Sequence, residues 1–176
     1  YLPECKMITD QNVYTYNDRA QQFFAEAGVW VNTVPIELNR GEIMHRDNQR
    51  SEMIVYGYYP LMTSAQCVHK NTKACDKCPT ITYLKDRYQA QFPVKNYCSA
   101  CYNVVYNSLP VMLFSNIREL QKAGLRTFRL DFTMESEKMT GNVMNLLEEF
   151  LYEDRRQYPE QWKEHYTNGH YKRGVE

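Results

Sequence analysis

Apolar positions along the chain change their period several times, and each change marks a strand or a helix. Lys6 to Ile8 and Val13 to Tyr16 read as extended. From Asp18 to Ala27, residues Ala20, Phe23, Phe24 and Ala27 fall on one helical face. Asn17 stands where that helix needs an N-cap, and Gly28 where it can end in the left-handed conformation. A β-rich run, Val29 to Val34, is closed by Pro35, and Ile36-Glu37-Leu38 continues outward. Asn39 stands three residues before Glu42, the spacing of a capping box, which predicts a short helix to about Asn48. Met53 to Tyr56 reads as the next strand.

Further on, Ile81 to Leu84 and Gln91 to Val94 flank the polar connection Lys85 to Ala90 and predict a small hairpin. The main rhythm is expected to resume with strands at Val104 to Tyr106 and Val111 to Phe114. Ser115 then caps a helix from Asn116 to Ala123, which Gly124 ends. Thr127 to Phe132 alternates cleanly, with Phe128 and Leu130 on one side and Arg129 and Asp131 on the other. The longest helix runs from Ser136 to Tyr152, where Met139, Val143, Leu146, Leu147, Phe150 and Leu151 form an apolar stripe suited to core packing. The polar tail 153–176 predicts a short helix anchored by Trp162 and a turn at Asn168-Gly169. Alternating strand and helix gives an α/β expectation with largely parallel strands. Four or five β–α units over 1–152 are fewer than a closed barrel needs, so the expectation is a partial TIM-barrel-like arrangement with a cysteine-rich metal-binding insert at 67–101.

Composition adds limits. A chain that is 43% hydrophobic and 24% charged has a globular balance. Lys plus Arg and Asp plus Glu each number 21, so net charge offers no argument for nucleic acid or anionic lipid. A local basic group, Lys70, Lys73, Lys77, Lys85 and Arg87, leaves a nucleic-acid partner open without favouring it. The fifteen tyrosines suit half-buried strands and interfaces. No apolar run is long enough to span a membrane as a helix. The chain opens on Tyr1 rather than Met and is read as a piece of a larger protein.

Five of the six cysteines lie within a 35-residue window, from Cys67 to Cys101. Such clustering suggests metal-bound thiolates in a reducing, cytoplasmic compartment rather than a disulfide framework. Cys75 and Cys78 are two residues apart, as are Cys98 and Cys101, with nineteen residues between the pairs. Two intervening residues let a tight turn aim both sulfurs at one point, and two such turns make a tetrahedral zinc site. Cys67 is a fifth candidate ligand. Four cysteines also hold iron–sulfur clusters, and Cys67, Cys75, Cys98 and Cys101 form an alternative set. Zinc and a cluster both stay open. His69, two residues after Cys67, is a stand-in ligand, whereas isolated Cys5 is expected to pack as a small hydrophobe.

No nucleophile elbow, zinc-protease helix or phosphate loop is present. The acids expected near strand ends are Glu37 and Asp131, where α/β barrels place chemistry, although each also reads as a cap or ion-pair partner. His45 and His165 read as surface residues on helices.

The run Tyr56-Gly57-Tyr58-Tyr59-Pro60-Leu61-Met62-Thr63-Ser64-Ala65-Gln66-Cys67, continuing through Val68-His69-Lys70-Asn71-Thr72 and Cys75, resembles peptidase family U32, the collagenase-like proteins. The likeness is to the C-terminal part of the long bacterial members. It extends over Tyr83-Leu84-Lys85-Asp86-Arg87, Phe92-Pro93-Val94-Lys95, Cys98, Cys101-Tyr102-Asn103, Tyr106-Asn107-Ser108 and Arg129-Leu130-Asp131-Phe132-Thr133. It also takes in the tail Gly169-His170-Tyr171-Lys172-Arg173-Gly174. The resemblance implies a TIM-barrel-like core of which this chain is the later portion, and a peptide substrate, with no agreed catalytic residues. The other partner it implies is the missing N-terminal part of the same protein. Other members resemble RNA-modifying or hydroxylating proteins with a cluster on four cysteines, which implies Cys67, Cys75, Cys98 and Cys101 as ligands here. The family's cysteine spacing differs from that of this chain, so a purely structural zinc module is a third expectation.

Overall fold

The computed structural model describes residues 5–72, 75–77 and 79–174. Their elements run β1 (Met7–Thr9), α1 (Asp18–Glu26), β2 (Val29–Thr33), α2 (Arg40–His45), β3 (Ser51–Gly57), β4 (Pro60–Ser64) and α3 (Val68–Asn71). There follow β5 (Ile81–Lys85), β6 (Gln91–Tyr97), β7 (Tyr102–Tyr106), β8 (Val111–Met112), α4 (Ile117–Lys122), β9 (Thr127–Asp131) and α5 (Glu137–Tyr152). The fold is mixed α/β with two sheets.

Local chemistry sets most boundaries. The Asn17 side chain accepts from Ala20 N at 2.9 Å and starts α1. Asn39 and Glu42 form the reciprocal capping box of α2, and the Ser136 hydroxyl accepts from Met139 N to start α5. Two local expectations are corrected. Around Val13 a 3-10 turn replaces the expected strand, and Tyr14 takes a left-handed conformation (φ 57°). Ser115 caps nothing, because it lies inside a 3-10 turn and its N–H is used by the Tyr158 hydroxyl.

The first sheet runs β1-β2-β3-β9 with every neighbouring pair parallel. β9 follows β3 from Glu52 to Gly57 along one edge. The other edge is shared by β2 at Ser51 and Glu52 and by antiparallel β8 at Tyr56 and Gly57. Gly57 permits the close approach of β9, since a Cβ there would lie 2.9 Å from Asp131 Cβ. Among the described residues this sheet does not close into a barrel.

The second sheet, β4-β7-β6-β5, is wholly antiparallel. The expectation of largely parallel strands therefore holds only for the first sheet, and β7, read as a return to the main rhythm, belongs to the second. The expected insert is also longer, because β4 lies before Cys67 and pairs with β7. The expected hairpin of Ile81 to Leu84 with Gln91 to Val94 is β5 and β6, in register from Ile81↔Lys95 to Lys85↔Gln91.

One core lies between the first sheet and the helices. Met53, Val55 and Tyr56 of β3 meet Ile117 and Leu120 of α4 and Val143, Leu146 and Phe150 of α5. Each such side chain, fully buried, contributes about 1.5–3 kcal/mol. Phe128 and Leu130 of β9 pack against this core, while Arg129 and Asp131 alternate to the other face, as their period of two requires. Trp162 and Tyr171 of the tail are buried in the same core. No helix among the described residues is long and apolar enough to cross a membrane.

Candidate metal centre

The second sheet positions the cysteines at one of its ends. β6 and β7 close on the pair Tyr97↔Tyr102, so Cys98, Ser99, Ala100 and Cys101 form the hairpin loop between them. Ala100 N donates to Tyr97 O at 3.2 Å, and Cys101 takes φ 53°, a left-handed conformation seldom adopted outside glycine, asparagine and aspartate. That turn carries a thiol at each end. Cys67 arrives from the adjacent edge, where Ser64 of β4 pairs with Asn103 of β7. The buried Asn103 amide donates to Gln66 O at 2.7 Å and pins the residue before Cys67, which is itself buried and precedes α3. Beyond Cys75 the chain is tied back at Thr80, whose carbonyl accepts from Asn96 N at 3.1 Å and whose hydroxyl meets the Asn96 amide at 3.2 Å.

Cys67, Cys75, Cys98 and Cys101 thus line one cavity of about 980 Å3. The Cys98 thiol has its pKa raised, first by burial and then by the charge of Cys67, Cys75, Asp76 and Cys101 around it. Among the described residues no three His, Cys, Asp or Glu side chains are gathered tightly enough to hold an ion as they stand. The donor set has the chemistry of a soft, sulfur-bound centre, with four thiols on one cavity wall. Cys78 lies outside the described residues, as does Lys73. His69 does not line the cavity, and its Nε2 meets Thr80 Oγ1 at 3.1 Å, a structural partner. Cys5 is exposed, so its expected role as a packed hydrophobe is corrected.

Lys70, Lys77 and Lys95 line the same cavity. The first two were expected in a basic group. Lys95 was not, although it stands on β6 three residues before Cys98. Its ammonium donates to Thr133 O at 3.1 Å, just past β9. Next along β6, Tyr97 stacks on Tyr102 with centroids 4.7 Å apart and shares a 3.1 Å hydroxyl contact with Tyr106.

The two candidate acids lie elsewhere. Asp131 is held in a two-pronged pair by Arg129, Nε to Oδ1 at 2.6 Å and Nη2 to Oδ2 at 3.0 Å. Arg129 also reaches Asp10 and Glu52 at 3.0 and 3.4 Å. Burial works against the guanidinium charge, yet Asp131 and Asp10 outweigh it and raise the Arg129 pKa. Glu37 follows β2, and its Oε2 is buried without a hydrogen-bond partner. Both acids act on Tyr59, whose pKa is raised by burial first, then by Asp131 and Glu37. The ends of β2 and β9 therefore bring Glu37 and Asp131 to one tyrosine, away from the thiols. Of the histidines, His45 bonds to Gly41 O within its own helix, and His170 bonds to Gly174 O.

Comparison of the chain with protein-family models, with curated proteins and with solved structures finds no match.

Proposed function

We propose that the chain is the C-terminal part of a U32-type, collagenase-like peptidase of the cytoplasm, with a thiolate metal centre on Cys67, Cys75, Cys98 and Cys101. The convergence of these four cysteines on one cavity carries the metal reading. The peptidase reading comes from the resemblance. It is supported by the parallel neighbours β1-β2-β3-β9, an arrangement shared with an arc of a β/α barrel, although antiparallel β8 also borders β3. The peptide substrate and the remaining barrel units of the same protein are its partners.

Zinc on these sulfurs would supply a closed structural centre, and an iron–sulfur cluster would supply electron transfer. The chain's own part is to present the sulfurs. The hairpin loop offers Cys98 and Cys101 together, Asn103 holds the approach to Cys67, and Thr80 anchors the loop that carries Cys75. Lys70 and Lys77 on the cavity wall offset the negative charge that bound thiolates bring.

Those lysines also favour a second reading, in which the centre serves an RNA-modifying or hydroxylating relative and the basic wall meets an anionic substrate. Protein purified without oxygen distinguishes the cases by elemental analysis and an optical spectrum. Iron and sulfide near four each per chain with a broad visible shoulder support a cluster. One zinc per chain in a colourless sample supports a structural centre, and no metal overturns the proposal.

A further inference from the structure

A second cavity lies where the two sheets meet, about 530 Å3 in volume, within the range of ligand sites. It opens beyond the C-terminal ends of β3 and β9, the side on which parallel α/β sheets carry their ligands. Its walls are aromatic: Tyr56 and Tyr58 from the end of β3, Tyr83 from β5, and Trp162 from the tail. Tyr83 is 57% exposed, so a large aromatic face stands open to solvent.

One carboxylate sits in this cavity. Glu135 Oε2 accepts from Thr133 N at 2.7 Å and Met134 N at 2.9 Å, which locks the side chain into the loop between β9 and α5. Its other oxygen, Oε1, is buried with no partner at full hydrogen-bond geometry, although the Tyr56 hydroxyl lies close enough to interact with the carboxylate. No lysine or arginine lines the cavity, His165 is its one basic lining residue and is exposed, and Lys95 is committed to Thr133 O on the side of the thiols. Burial first, then the Glu135 charge and a hydrogen bond to Glu135, raise the Tyr56 pKa, so its hydroxyl stays a neutral donor beside the carboxylate. The site is therefore aromatic and largely apolar, with Glu135 as its one carboxylate. A phosphate is disfavoured there, and a cation with an apolar stem is favoured on two counts, the Glu135 carboxylate and the aromatic faces.

We propose that this cavity is a substrate subsite for a basic side chain, arginine or lysine, of a bound peptide. The charged head sits toward Glu135 and the stem lies along Tyr58, Tyr83 and Trp162. A guanidinium suits the place best, since its planar donors match a carboxylate and its face stacks on aromatic rings. The inference rests on the peptide reading above and names the side chain that the site selects.

The test uses the 176-residue chain and the peptide acetyl-Gly-Arg-Gly-amide, with its citrulline counterpart as the neutral isostere, followed by calorimetry and by fluorescence in a Trp30→Phe background that leaves Trp162. The expected result is binding about tenfold tighter for arginine than for citrulline, the scale of one desolvated cation–π or charge-assisted contact. Glu135→Gln should erase that preference, and its amide oxygen can still accept the two backbone N–H groups, so the loop is kept. Tyr83→Ala, at an exposed position, should weaken both peptides. Equal affinity for arginine and citrulline, or a preference that survives Glu135→Gln, overturns the proposal. Agmatine binding in a Glu135-dependent way while neither peptide binds would keep the cation subsite and remove the peptide reading. A single-stranded oligonucleotide that displaces the arginine peptide from this cavity would overturn the proposal in favour of nucleic acid.

Discussion

Replacing Asn48 by alanine removes an amide that joins two helices. Asn48 is 1% exposed, and its Nδ2 donates to Ile43 O at 2.7 Å, Ala123 O at 2.9 Å and Arg46 O at 3.2 Å. Ile43 belongs to the last turn of α2, and Ala123 is the C-cap of α4. One side chain therefore caps carbonyls at the ends of both helices, groups that no intrahelical N–H can reach. Two amide hydrogens serve three acceptors, and each bond contributes about 1 kcal/mol net, so Asn48→Ala should cost about 2–3 kcal/mol. Urea denaturation should show a lower midpoint at an unchanged slope. In a thermal melt the loss corresponds to about 5–10 °C for a chain of this size. Asn48→Asp should be worse than alanine, since it turns a carboxylate toward the same three carbonyls with no proton to share. An alanine variant within about 0.5 kcal/mol of the parent, the range of ordinary surface changes, would refute the capping argument.

Tyr158→Phe removes a hydroxyl that donates to Met112 O at 3.1 Å and accepts from Ser115 N at 3.2 Å, and should lower stability in urea by about 1–2 kcal/mol. Gly57→Ala would set a methyl 2.9 Å from Asp131 Cβ and 3.0 Å from its carbonyl oxygen, and overpacking of this kind costs about 1–3 kcal/mol by melting. The Glu119 pKa is lowered by its bond from Arg40 and also by that from Tyr171, against an opposing effect of burial. A depressed carboxylate stabilises the fold above its unfolded pKa and loses that contribution as pH falls through the folded one, so the parent's acid destabilisation should exceed that of Glu119→Gln. Parallel acid melts of the two proteins would contradict this. Replacing Cys98 and Cys101 together by serine should abolish metal retention and lower the melting temperature of the loaded protein, read by elemental analysis and calorimetry on the same sample.

Capping chemistry was the most legible part of the fold, because a cap needs only a side chain and the backbone three residues away. Asn17 and the Asn39–Glu42 pair act as their positions suggest, and Gly28 and Gly124 end their helices at φ 91° and 97°, whereas Ser115 does not cap α4 and Ser136 caps α5 without having been singled out for it. The expected reach of α2 to Asn48 was too long, since Arg46 turns extended (ψ 158°) and Asn48 spends its amide on helix carbonyls. β4 escaped notice because Leu61 and Met62 are adjacent apolar residues, both more than half exposed, and show no alternation. The thiol cavity was half legible. Spacing alone put Cys98 and Cys101 at one turn, but Cys67 arrives beside them through the pairing of β4 with β7. The Glu135 cavity left no signal, since it gathers residues from 56 to 165 by tertiary contact alone.

The two sheets differ in what holds them, and the difference bears on why thiols cluster in only one. The main core draws on the first sheet, on α2, α4 and α5 and on the tail, and includes no residue of β4, β5, β6 or β7. The second sheet has few buried apolar side chains of its own: Val94, Val104, Val105 and Tyr106. Both its edge strands are largely exposed, with Leu61, Met62, Tyr83 and Leu84 open to solvent. A unit this thin gains little from burial, and small units with thin cores are commonly fastened by a metal or a covalent link. Its polar pins, Asn103 to Gln66 and Asn96 to Thr80, sit at the end of the sheet where the cysteines gather. Metal on the four sulfurs would fasten β4, the Cys75 loop and the β6–β7 turn at that end. Loss of such a metal should therefore loosen the second sheet without unfolding the first, whose core is separate.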